Sequence, residues 1–428
     1  MSSAATSQPD PTDTPPQPAV LVVNAGSSSL KFALYPRSDA AGLGDGASAL
    51  ARGQVDGLQP GGQARLCLDG EAPRPIDIGD DDSHRHDAAL AAMQDHLRRS
   101  APTVQVMAVA HRIVHGGPHF RAPVVLDEAV LAMLGTLEPL APLHQPHNLA
   151  GVRALRRAYP GLPQIGCFDT AFHASLPRIE QRYALTDDLH EQGLRRYGFH
   201  GLSYQYVMQA LQRRSAAASG HVLMAHLGSG ASLCAASGGI SVATSMGFSA
   251  LDGLVMGSRC GQLDPGIVLH LWRQGWSLAQ VENLLYRESG LRGVSGLSGD
   301  LRELRRASAS GHAGAQTAID LFDHRLRREA GALAAVLGGL DVIAFTGGIG
   351  EHDAQTRADL IHGLAHLDVQ LDGAANTAAR GDAVVPIHTP DSQVEIWVVP
   401  TDEGRVAADA AWALLDRTAP PTARRVPA

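Results

Sequence analysis

The chain has 428 residues, 44% of them hydrophobic and 18% charged, a composition that suits a globular protein with ample core and material for two domains. Its net charge of −8 argues against nucleic acid or an anionic membrane as the main partner. No stretch approaches the ~18 consecutive apolar residues that a membrane span requires. Residues 1–17 lack Arg and Lys, have no apolar core and are rich in Pro, Ser, Thr and Asp, which predicts a disordered tail rather than a signal or transit peptide. Cys67, Cys167, Cys234 and Cys260 are scattered without a CxxC pair and read as free thiols of a reducing cytoplasm.

Residues 20–23 predict a buried strand, and the turn that follows, 24–31, holds Asn24, Gly26, three serines and Lys31. Lys31 is the only lysine among 35 basic residues, so the position uses something arginine does not offer. An ammonium is a compact point charge, and small residues let backbone N–H and hydroxyl groups approach phosphate oxygens closely. A strand over 104–110 runs into His111-Arg112-Ile113-Val114-His115-Gly116-Gly117-Pro118, which could aim the Arg112 guanidinium at a carboxylate or phosphoryl group, or leave it at the surface beside a turn. His111, His115 and His119 recur every four residues, but the glycines and proline break any helix that would align them, and HExxH is absent, which disfavours zinc.

Farther along, the strand before Asp169 ends in an acid, and 195–203 sets His200 between glycines before a helix that Ser203 is expected to cap, running to about Arg214. The strand-turn-strand at 221–234 echoes residues 20–34. Met256 to Pro265 offers a second arginine, Arg259, in a glycine-rich loop. Helices are predicted from Ser277 to about Glu288 and over 315–337, then a buried strand at 341–346 that ends in a glycine turn, 347–351. Strands alternating with helices imply α/β layers, and the internal echo predicts a duplicated α/β domain with nucleotide in the intervening cleft. Neither a Walker loop nor Gly-x-Gly-x-x-Gly is present. One Lys, two Arg, one His and several glycine turns are the parts of a phosphoryl-transfer site, where positioning and charge neutralisation dominate.

In order and spacing, NAGSSSLK at 24–31, HRIVHGG at 111–117, FDTAFH at 168–173, RRYGFHG at 195–201, HLGSG at 226–230, RCGQLDP at 259–265 and TGGIGE at 346–351 resemble the acetate kinase family across about 19–415. That family belongs with sugar kinases, actin and the heat-shock chaperone ATPases. The resemblance implies duplicated ribonuclease H-like, actin-like domains with mixed sheets flanked by helices. The first unit would be 18–168, completed by a C-terminal helix over 404–418, and the second 169–403, with nucleotide between them. It further implies direct, reversible in-line transfer from ATP to acetate, giving ADP and acetyl phosphate, in a cytoplasmic homodimer that uses Mg²⁺ or, as a substitute, Mn²⁺.

Carried over by motif, Asn24 and Glu403 would help hold the metal, and Ser27, Ser29 and Lys31 would face the phosphates. Arg112 and Arg259 would bracket the acyl carboxylate and the migrating phosphoryl group, and His200 would hydrogen-bond that group. Asp169 matches an essential acid, whose task could be to orient Arg112 or a metal-bound water, or to handle a proton. His226, Leu227, Gly228, Ser229 and Gly230, then Asp300, Leu301 and Arg302, then Gly348, Ile349, Gly350, Glu351 and His352 match nucleotide-contacting segments. Val114, Leu143, Phe199 and Ala250 would line the acyl pocket.

Five positions depart from the family pattern: Ser229 and His352 each stand for Asn, Thr401-Asp402-Glu403-Gly404 for Thr-Asn-Glu-Glu, and Ala250 for a proline. The last change removes bulk and predicts a relaxed preference that admits propionate. Alternatives are a propionate or butyrate kinase on the same scaffold and, more remotely, an ATP-driven conformational switch without acyl phosphate chemistry.

Overall fold

The computed structural model describes residues 16–26, 28–37, 49–59, 61–68, 70–77 and 85–418. Ser27 and most of the predicted tail therefore lie outside the described residues. The first sheet contains β1 (Gln17–Ala25), β2 (Ser29–Pro36), β3 (Ala51–Asp56), β4 (Arg65–Leu68), β5 (Arg74–Pro75), β6 (Val104–Ile113), β7 (Val124–Val125) and β8 (Gln164–Phe168), in the order β5-β4-β3-β2-β1-β6-β8-β7. The second contains β9 (His221–Leu227), β10 (Ala231–Ser237), β11 (Ile240–Thr244), β12 (Val342–Thr346), β13 (Val385–Pro386) and β14 (Glu395–Val398), in the order β11-β10-β9-β12-β14-β13.

The echo seen in the sequence is an echo of topology. In each sheet an antiparallel meander, of five strands in the first and three in the second, is followed by two strands parallel to its first member: β6 and β8 on β1, β12 and β14 on β9. An antiparallel edge strand, β7 or β13, then closes each far side. β8 and β12 are buried at every position, as expected of parallel strands covered on both faces.

Alternation along β1 sends Ala19, Leu21 and Val23 to a core shared with Leu90, Met93 and Leu155, while Val20 and Val22 face Val406, Ala407 and Trp412 of the C-terminal helix Glu403–Thr418. That helix thus returns from the second sheet to complete the first. The helix Gly201–Gln212 is wedged between the halves: Leu202 joins the first sheet's cluster, and Tyr204, Val207 and Met208 join the second's.

Most predicted elements lie where expected, with three differences. Ser203 does not cap its helix; His200 occupies the cap position, and the Ser203 hydroxyl is instead drawn 2.8 Å from His226 Nδ1. The glycine turn after β12 closes into a short helix, Gly347–His352, because Gly347 adopts a left-handed φ of +75° against the backbone of Leu227. The long helix begins slightly early, Ala313–Leu337, with the His312 imidazole accepting from the Ala315 N–H. All four cysteines are free, and among the described residues no helix is long and apolar enough to cross a membrane.

Candidate active site

Arg112 occupies β6 and Asp169 follows β8, so parallel pairing of these strands brings the two side chains together. The guanidinium grips the carboxylate from two nitrogens, Nε to Oδ1 at 2.9 Å and Nη2 to Oδ2 at 2.7 Å. Its remaining arm, Nη1, lies 3.0 Å from Oε2 of Glu403, at the start of the C-terminal helix. Burial alone would lower the Arg112 pKa, but Asp169 and then Glu403 outweigh it and hold the guanidinium charged far above its ordinary value. Burial raises the Asp169 carboxyl, Arg112 pulls it back and Glu403 pushes it up again. With two guanidinium N–H groups making three contacts to it, we take Asp169 to be an ionised partner of Arg112.

Asn24 and Lys31 are cross-strand partners on β1 and β2. Both line a cleft of about 410 Å³ together with Arg112 and Glu403. Ser29, at the start of β2, holds the turn with its carbonyl, which accepts from Gly26 N–H at 2.8 Å. One amide and one carboxylate beside a phosphate-accessible lysine fit Mg²⁺, which takes few protein ligands and keeps water and phosphate oxygens. Tyr35 explains the departure at 402–404. Its hydroxyl donates to Asp402 Oδ1 at 2.6 Å, and a Cβ at Gly404 would stand 2.5 Å from that hydroxyl. Glycine at 404 leaves the room this buried tyrosine fills, and the residue at 402 accepts its proton.

His200 enters from the other side. It is one of two non-glycine residues with positive φ among the described residues, at 59°, and its ring lies against His226 and the glycine turn at Gly230. Gly201 makes the close approach, its N–H donating to the Asp169 carbonyl at 2.8 Å where a Cβ would sit 2.3 Å from that oxygen. The His200 ring stacks on His226, with centroids 4.1 Å apart. Burial, then His226, Arg112 and Arg259, push its pKa well below the ordinary value, so the imidazole is neutral at pH 7.

Arg259 donates to the Ala250 carbonyl at 2.8 Å and has no ion-pair partner among the described residues. Burial lowers its pKa. A Cβ on Gly230 would lie 3.3 Å from His200 Nε2 and 3.8 Å from Arg259 Nη2, so both groups converge on the glycine turn between β9 and β10. His144 marks the same convergence: burial first, then Arg259 and Arg112, drive it down to about 4.

Val114, Leu143, Phe199 and Ala250 meet, with His144 and Tyr286, in one small cavity of about 10 Å³, room for about one water. A second cavity of about 910 Å³ is lined by Gly228, Ser229, Asp300, Leu301, Arg302, Gly348, Ile349 and His352. Five residues expected with these do not line it. Leu227 is core, His226 and Gly230 belong with His200, and Gly350 is buried. The Glu351 carboxylate accepts from the Gly347 and Thr401 N–H groups at 2.9 and 3.2 Å.

The sequence reading missed His144, Arg292 and Arg305. Arg305 lies one helical turn beyond Leu301, a spacing that could have revealed it, and it pairs with Asp353 at 2.6 Å. The three spaced histidines have separate fates. His111 bonds Gln164 at 2.8 Å, His115 packs against Tyr197 with centroids 4.5 Å apart, and His119 is exposed.

Twin meander sheets, a helix wedged between them, and a cleft holding Lys31 and Arg112 in a molecule that also carries a small apolar cavity and a large one edged with glycine turns define a phosphotransferase of the actin-like ATPase fold. The family model described as the acetokinase family matches residues 19–409. An acetate kinase of Rhodopseudomonas palustris is 46% identical over 405 residues, 93% of this chain and 98% of that protein. The crystal structure of Porphyromonas gingivalis acetate kinase superposes with a TM-score of 0.82 at 35% identity, covering 93% of this chain and 99% of its own. That of a propionate kinase from Francisella tularensis gives 0.81 at 32%, covering 92% and 98%. The chain belongs to the acetokinase family.

Proposed function

We propose that this chain transfers the γ-phosphoryl group of ATP to acetate, reversibly and in line, forming acetyl phosphate and ADP. One observation carries the reading: a guanidinium from each half, Arg112 and Arg259, acts on neutral His200, and Arg259 reaches from the Ala250 carbonyl of the small apolar cavity to the glycine turn that His200 also faces. Acetate is ionised near pH 7, so its oxygen needs no general base to attack. The apolar cavity takes the methyl group, and Arg259 and Arg112 neutralise the carboxylate and the charge that spreads over the moving phosphoryl oxygens. Asp169 orients Arg112, His200 hydrogen-bonds the phosphoryl group, and Ser27, Ser29 and Lys31 face the phosphates.

The residues lining the 910 Å³ cavity would hold the nucleotide. Asn24 and Glu403 would hold Mg²⁺, for which Mn²⁺ substitutes, and the ion would offset phosphate charge. The two halves, 18–168 with 404–418 and 169–403, would close to exclude water. Four free thiols support a reducing, cytoplasmic setting.

With acetate, ATP and Mg²⁺, hydroxylamine is expected to trap acetyl phosphate as the hydroxamate. Nucleotide binding without hydroxamate would leave only an ATP switch. Ala250 in the acyl cavity favours a second substrate. Propionate is expected to react with kcat/KM within about tenfold of acetate, one methylene in such a pocket being worth ~1–3 kcal/mol. Strict acetate selectivity would refute the relaxed pocket.

We also propose a homodimer. The helix Pro265–Arg273 has no buried residue, and it, the turn after it and the start of the next helix, Leu278–Arg287, expose Ile267, Leu269, Trp272, Trp276 and Leu278. Light scattering should give twice the chain mass, and Trp272→Arg should give a folded monomer. A monomeric parent protein would end this proposal.

A further inference from the structure

We propose that Tyr204 and Ser232 are positioning residues that lock His200 in the tautomer carrying its proton on Nε2, so that a donor faces the phosphoryl group. The inference rests on the reading that His200 hydrogen-bonds that group.

A neutral imidazole has one donor and one acceptor nitrogen, and which is which follows from the partner of the nitrogen turned inward. In His200 the inward atom is Nδ1, 2.8 Å from the Ser232 hydroxyl. Ser232 and Tyr204 are both completely buried. The Ser232 oxygen also touches the Tyr204 hydroxyl. Among the described residues, Ser232 is the only hydroxyl or carbonyl within bonding distance of the Tyr204 hydroxyl, so the phenol proton goes to Ser232. Leaving that buried donor unpaired would cost ~1–3 kcal/mol.

With one lone pair taken by Tyr204, the Ser232 proton points to its other partner, Nδ1. Protons therefore run in one direction: Tyr204 to Ser232, Ser232 to Nδ1. His200 is left with Nε2–H, the nitrogen that faces Gly230 beside Arg259. Phosphoryl oxygens only accept hydrogen bonds. The other tautomer would present a lone pair to them and turn an attraction into a repulsion. Double protonation, which would also supply a donor, is opposed by burial, His226 and both arginines. The ring cannot flip to escape, because it is stacked on His226, whose own Nδ1 is anchored by Ser203 at 2.8 Å.

The test is ¹⁵N NMR of the full-length, histidine-labelled protein, with His200 assigned by the signal missing in His200→Gln. The parent protein is expected to show the Nε2–H pattern. Ser232→Ala and Tyr204→Phe are expected to give mixed tautomers and a kcat lowered about tenfold or more, with KM for acetate and ATP little changed. Ser232→Thr, which keeps the hydroxyl, should restore both. A purely structural role would lower the melting temperature and leave the tautomer untouched. An Nδ1–H parent, or an unaltered Nε2–H pattern in both variants, would overturn the relay. Unchanged kcat in His200→Gln would instead overturn the reading of the reaction on which it rests.

Discussion

Arg259→Ala is expected to lower kcat about 1,000-fold with almost no change in melting temperature. The guanidinium makes no ion pair among the described residues; its recorded contacts are the Ala250 carbonyl and the Met256 sulfur. Its charge is therefore unspent in the resting protein and free to act on charge that develops during transfer. A preorganised donor of this kind is worth ~100–1,000-fold, and an arginine on a migrating phosphoryl group ~1,000-fold or more. Arg112→Ala should lose as much activity but behave differently on heating. It strands the Asp169 carboxylate, only 3% exposed, and breaking a buried pair in this way costs ~3–5 kcal/mol. Arg112→Lys separates the two effects, since it keeps the charge but loses the fork. Steady-state kinetics with thermal melts on all three variants decide the matter. Near-normal rates in both alanine variants would remove the two-arginine clamp.

Acid is expected to unfold the protein well above the pH at which its carboxylates protonate. Burial drives His111, His115, His144, His173 and His226 down to about 4, and His200 well below its ordinary value. Their folded-state pKa values lie below the ~6.5 of an unfolded histidine, so the fold favours the neutral ring. This stability is fully present above about pH 6.5 and is lost as pH falls from there toward 4. Each fully buried ring contributes of order 3 kcal/mol, a large part of a typical domain's total. Asp323, pushed up to about 7 by burial, works in the opposite sense, as do Asp169, Glu180 and Glu329, which burial also raises, but the six histidines outnumber them. Urea unfolding between pH 7.5 and 4.5 should show a steepening loss of stability, and His173→Gln should make it shallower. A midpoint unchanged across that range would contradict the neutral, buried histidines.

The duplicated meander was legible in the sequence because it is local. Continuous apolar runs along β1 and β9, and glycines after each, mark a buried strand and a turn that neighbouring residues enforce alone. The motif order identified the family for the same reason, and it pointed to Arg112, Asp169, His200 and Arg259 as individual candidates. Local signals also misled. Ser203 has the chemistry of a cap, but the left-handed backbone of His200 takes that position, and the serine hydroxyl finds His226 on the facing sheet. Glu351 sits in a nucleotide-binding motif, yet its carboxylate turns to the Thr401 N–H, a partner fifty residues away.

Periodicity and turn chemistry are written along the chain, so strands, helices and the likeness of the two halves could be read from residue order. Which side chains meet was settled by sheet order and by the helix wedged between the sheets. Parallel pairing of β6 with β8 puts Arg112 on Asp169, and the returning C-terminal helix adds Glu403. Burial at the junction then neutralises His200 and fills the space that Gly404 leaves for Tyr35. Such contacts depend on distances closed across the whole fold, and a linear pattern of residue types carries no record of them.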